Sequence, residues 1–87
     1  TVSQEQIVIT GRHIRAARGL LLMSLEDLAA AVGITPHSLT RIEMGKAVAR
    51  RQTLEAIRFA LEQRGIVFSN GDKPGVTFDS ARAAIPT

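Results

Sequence analysis

Apolar positions recur at helical spacing along the first two-thirds of the chain. Ile14, Ala17 and Leu21 stand at i, i+3 and i+7, one face of a helix that Thr10 is placed to cap. Ser24 is the N-cap of a second helix, with Asp27 at the capping-box spacing and a stripe of Leu25, Leu28, Ala29 and Val32. Gly33 ends that helix, since glycine enters a left-handed turn at no steric cost. Thr35 and Pro36 then open a third helix, as N-cap and first helical residue. Leu39 and Ile42 are its inward positions, and His37, Ser38, Thr40 and Arg41 fall on other faces before Gly45 ends it. A fourth helix is predicted over about 52–64, with Leu54, Ile57 and Leu61 inward and Gly65 as its stop. Phe59 lies off that stripe and needs a second surface to cover it.

After Gly65 the period changes. Ile66-Val67-Phe68 and Val76-Thr77-Phe78 are short β-prone runs, and 69–75, with its Asn-Gly and Pro-Gly pairs, reads as a hairpin loop. A lone hairpin is marginal in water, so it lies on the fourth helix or pairs with a second subunit. The expected fold is mainly α: four helices over 10–64, then a β-hairpin over 66–78. Residues 1–9 and 79–87 are expected as terminal extensions, the latter frayed.

Composition narrows the chemistry. Eighty-seven residues suggest a single domain, 1–87, with a modest core. The absence of cysteine excludes disulfides and thiolate metal sites and suits a reducing cytoplasm. Apolar runs such as 19–23 are too short to cross a bilayer, and no secretory leader is expected. Two histidines and scattered carboxylates lack metal-ligand spacing. There is no Gly-rich phosphate loop and no nucleophile with a nearby base, so no enzyme, metal or cofactor is expected. Few aromatics argue against a stacking platform for single strands.

The net charge of +3 is unevenly placed. Arg12, Arg15, Arg18, Arg41, Lys46, Arg50 and Arg51 face only Glu26, Asp27 and Glu43 within 10–51, while 52–87 is balanced. The basic half is a polyanion-binding surface or a solvated face. Duplex reading requires a helix with one apolar side on a scaffold and one polar side for the major groove. His37 and Arg41, at i and i+4, share a face. Arg41 suits a bidentate contact to guanine, and His37 a base edge or a phosphate. Ser38 and Thr40 offer short polar or methyl contacts. The amides at the start of the second helix suit a phosphate, and Lys46, Arg50 and Arg51 follow the third helix.

Residues 10–78 resemble the lambdoid repressor/Cro-type helix-turn-helix family, the XRE family. The matching elements are Ile14-Arg-Ala-Ala-Arg18, Ser24-Leu-Glu-Asp-Leu28-Ala29, Val32-Gly33-Ile34-Thr35, Leu39-Thr-Arg-Ile42-Glu43 and Gly45. A small bacterial variety also carries "AAR-x-LL" before the second helix and a "GI-x-F…GV-x-F" ending, here Gly65 to Phe68 and Gly75 to Phe78. The resemblance implies a lambda-repressor-like fold. It implies base-reading positions at Pro36, His37, Ser38, Thr40 and Arg41, and phosphate contacts at Ser24, Leu25, Lys46, Arg50 and Arg51. A structural salt bridge is implied between Arg18 and Glu43. Two positions depart from the family. Leu25 replaces a glutamine that bonds phosphate, leaving only its backbone amide, and Pro36 replaces a long polar side chain.

The expected function is transcriptional regulation, through repression at a palindromic operator in double-stranded DNA. One recognition helix reads few base pairs, so a homodimer is expected, paired through Phe59, Ile66, Phe68, Val76 and Phe78. Control would come from protein concentration or a regulatory protein partner. The alternatives are an antitoxin- or antiactivator-like partner of another protein, and an excisionase-like architectural DNA factor.

Overall fold

The computed structural model describes residues 9–69 and 75–86. Four helices, α1 (Gly11–Leu21), α2 (Leu25–Val32), α3 (Pro36–Glu43) and α4 (Arg51–Glu62), are followed by strands β1 (Ile66–Ser69) and β2 (Gly75–Phe78). The order is the one the periodicity predicts. Helix α4 starts one residue earlier and stops two earlier than expected, because 63–65 form a turn.

Side-chain caps set the first three helix starts. Thr10, Ser24 and Thr35 each accept the amide three residues on, from His13, Asp27 and Ser38. The reciprocal half of the capping box falls in an unexpected place. Thr10 N–H donates to His13 Nδ1 at 3.0 Å, whereas Asp27, too short to reach back as a glutamate does, makes no such bond to Ser24. His13 is therefore a capping residue. Its ring also meets Phe68 edge-on, with centroids 6.3 Å apart. Helix α4 has Arg50 as its N-cap and no side-chain cap bond.

Each helix supplies a fully buried aliphatic side chain: Ile14, Leu28, Leu39, and both Ile57 and Leu61. Ile9 joins this core, so the residue just before α1 is a packing residue rather than part of a loose lead-in. The predicted lead-in otherwise lies outside the described residues, as do the Asn70-Gly71 pair and Pro74 of the hairpin loop. Ile66 and Phe68 alternate inward from β1, which pairs antiparallel with β2 so that Ile66 faces Phe78 and Phe68 faces Val76. The hairpin thus rests on its own helices.

Residues 79–86, expected to fray, are ordered against the helices. Ser80–Arg82 form a one-turn 3-10 helix capped by Asp79. Ala84 and Ile85 N–H then donate to the Gln63 carbonyl at 2.7 and 2.9 Å. The end of a helix leaves carbonyls without intrahelical donors, and this segment supplies two.

Candidate nucleic-acid interface

Helices α2 and α3 meet through a turn in which Gly33 adopts φ 85° and donates to Ala29 O. Pro36 sits at the first position of α3, where a missing N–H leaves no bond unmade. Leu39 is buried and Ile42 half-buried, which fixes the inward side of the helix. Pro36, His37, Ser38 and Arg41 are exposed on the other side, whereas Thr40 is half-buried at its margin. Thr35 Oγ1 also donates to Ser38 Oγ at 3.0 Å, so Ser38 is held in the cap as well as displayed to solvent.

Past α3 the chain reverses at Gly45, φ 74°. Lys46, Arg50 and Arg51 are all exposed. Arg41 Nη2 donates to the Lys46 carbonyl at 3.0 Å. Arg51 pairs with Glu55 one turn along α4, Nε to Oε2 3.3 Å, which offsets part of its charge. Spacing alone permits that i, i+4 pair.

The start of α2 has two features that temper its amides. Leu25 is half-buried against the core, so its side chain is a packing residue there. Glu26 and Asp27 lie exposed in the same first turn. They complement the helix dipole but oppose an approaching anion.

Arg18 and Glu43 form a two-pronged pair, Nε to Oε2 2.7 Å and Nη2 to Oε1 2.9 Å. Arg18 Nη1 also donates to the Met23 carbonyl at 3.1 Å, so α1, the entry to α2 and the end of α3 are tied together. The hydrogen bond to Glu43 raises the Arg18 pKa above its ordinary value; burial acts against it, and the Glu43 and Glu26 charges reinforce it. Gly11 sits on the same side of α1. A Cβ there would lie 2.3 Å from the Glu43 carbonyl oxygen, so only glycine allows this approach.

The residues assigned to a pairing surface divide. Ile66 and Phe68 are 2% and 6% exposed within the chain's own core, and neither is available to a second copy. Alternation along β1 turned them inward. Val76 is half-buried, and Phe59 and Phe78 remain exposed. Ile85, also exposed, comes from the segment expected to fray.

A buried inner side, a polar outer side at the start of α3, and cations just past its end define a helix-turn-helix of the DNA-binding class. The helix-turn-helix family matches over residues 14–62, more than half of the chain. The chain belongs to this family, in its XRE branch. Among solved structures it is similar to the clp gene regulator ClgR from Corynebacterium glutamicum, at 27% identity and a TM-score of 0.57, over 59% of this chain and 54% of that one. The chain thus spans about half the length of that regulator. No curated protein matches.

Proposed function

We propose that this protein is a transcriptional regulator that represses by occupying a palindromic duplex operator as a homodimer, with α3 in the major groove. The carrying observation is the two-sided character of α3. Leu39 anchors it while Pro36, His37, Ser38 and Arg41 stand exposed on the side away from the scaffold. Thr40 contributes from the margin. Lys46, Arg50 and Arg51 hold the phosphates after α3, and the Ser24–Leu25 amides hold one before it. Phe59, Phe78 and Ile85 at the far end of α4 suit the pairing of copies, since each is apolar and exposed. Residues 1–87 act as one domain in this reading.

Selection of bound duplexes from a random library, followed by binding across a salt series, tests it. A recurrent two-fold symmetric site with half-sites about one helical turn apart supports the reading. Recovery of no sequence preference would count against it. Arg41→Ala should relax preference at one base pair and cost about 1–3 kcal/mol there. Arg50→Ala should weaken all duplexes alike and reduce the salt slope by about 1. Arg51→Ala should reduce it less, because Glu55 already offsets that charge. Equal salt slopes for all three proteins would remove the assigned phosphate contacts.

A further inference from the structure

A contact that no periodicity reveals lies inside this surface. Lys46 is bonded twice to the same residue of α3. Its N–H donates to the Arg41 carbonyl at 2.8 Å, and its own carbonyl accepts from Arg41 Nη2 at 3.0 Å. The first bond is the six-residue closure of a helix end, which a left-handed residue just before it makes possible. Gly45, at φ 74°, is that residue.

We propose that the Lys46 carbonyl, aimed by left-handed Gly45, positions the Arg41 fork to read a guanine in the major groove. This rests on the DNA-reading function above and adds Gly45 as a positioning residue and the Lys46 backbone as its instrument. A guanidinium carries five N–H donors, and one is spent on the carbonyl. The remaining four include the second N–H of Nη2 and those of Nη1, a pair that matches guanine O6 and N7. An exposed arginine without such a tie must be ordered at the moment of binding. That ordering costs about two- to tenfold in affinity, which a pre-set side chain avoids. The tie also explains why the carbonyl, rather than the Lys46 ammonium, matters for base choice. The exposed ammonium, which forms no ion pair among the described residues, meets a phosphate while the backbone holds the reader.

Gly45 makes the test clean. Among the described residues, no heavy atom beyond its two chain neighbours lies within 4 Å of where its Cβ would stand, so a side chain acts there through backbone conformation. Asparagine tolerates the left-handed region and a β-branched residue does not. The duplex selected by the wild-type protein is competed against versions changed one base pair at a time, at fixed salt. The Arg41 position is the pair at which Arg41→Ala loses preference. Gly45→Val should lower discrimination at that pair about three- to tenfold, with the salt slope kept. Gly45→Asn should restore it. Lys46→Ala, which keeps the carbonyl, should lower the salt slope and keep discrimination. Circular dichroism confirms folding, and if Gly45→Val is unfolded the milder Gly45→Ala replaces it.

Undiminished discrimination in the folded Gly45 variant overturns the proposal. So does a loss spread evenly over all base pairs, which marks a merely structural turn. Tighter binding by the variant overturns it too, since the carbonyl would then hold Arg41 back from DNA. A wild-type protein that selects no duplex overturns the DNA-reading function and this proposal together. The other failures leave that function standing.

Discussion

Leu22 closes α1 in the left-handed region, φ 55°, where every other positive-φ residue described is glycine. The turn is useful because it lets Met23 N–H return to the Arg18 carbonyl at 2.9 Å. A side chain with Cβ costs about 1–2 kcal/mol in that conformation, and Leu22 recovers little of it by packing, being 93% exposed. Leu22→Gly should therefore raise stability by about 1 kcal/mol and the melting temperature by roughly 4–8 °C. Thermal melts followed by circular dichroism check this, and an unchanged or lower midpoint would contradict it. Other single residues were legible in advance to different degrees. Thr10, Ser24 and Thr35 announce themselves as N-caps because a short hydroxyl before an apolar stripe has one common use. His13 did not, since histidine is no part of the usual capping-box pattern and its acceptor role depends on one ring nitrogen.

Between elements, the decisive contacts join α1 to the end of α3. The Arg18–Glu43 pair is mostly buried, with side chains 18% and 5% exposed. Removing one partner leaves the other charge stranded, so Arg18→Ala should cost about 3 kcal/mol in chemical denaturation. A loss under about 1 kcal/mol would make the pair an ordinary surface bridge. The pH dependence follows from the raised Arg18 pKa. A raised folded-state value gives stability that is fully present below the unfolded pKa and lost only as pH climbs through the folded one. Arg18 therefore lends no pH dependence to the neutral range. Gly11 tests the same junction sterically. Its Cβ would strike backbone rather than a movable side chain, so Gly11→Ala should cost about 1–3 kcal/mol despite alanine's better helix propensity. A variant more stable than wild type would show that α1 and α3 separate easily. The pair itself was reachable from family resemblance. Gly11 was not, because close approach of two backbones leaves no periodic trace.

For the whole molecule, the proposed pairing of copies rests on three exposed apolar side chains. Phe59 is 62% exposed, Phe78 40% and Ile85 41%. Gln63 caps α4 one turn after Phe59, and its carbonyl accepts from Ile85 N–H, which brings the ending segment to that end of the helix. The Phe78 ring lies close over Gly65. Pairing of two copies there should bury this apolar group, and Phe59→Asp should shift the protein from dimer to monomer in sedimentation at micromolar concentration. Identical sedimentation of the two proteins would move the pairing surface elsewhere. The fold remains intact in that variant because Phe59 contributes nothing to the buried core.

The sequence alone determined the four helices, the two strands and their order, since these follow from local periodicity, caps and glycine stops. It also placed Arg41 and His37 on one helix face, because i, i+4 geometry belongs to any helix. Tertiary structure decided what those residues meet. Ile66 and Phe68 turned into the monomer's core and Ile9 joined it, because burial depends on which surfaces the other elements offer. The tail docked because α4 ends on a carbonyl that needed donors. Arg41 met the Lys46 carbonyl because Gly45 bends the chain back across five residues. Such contacts are made by segments that become neighbours only once the chain has turned, and no pattern along the chain records them.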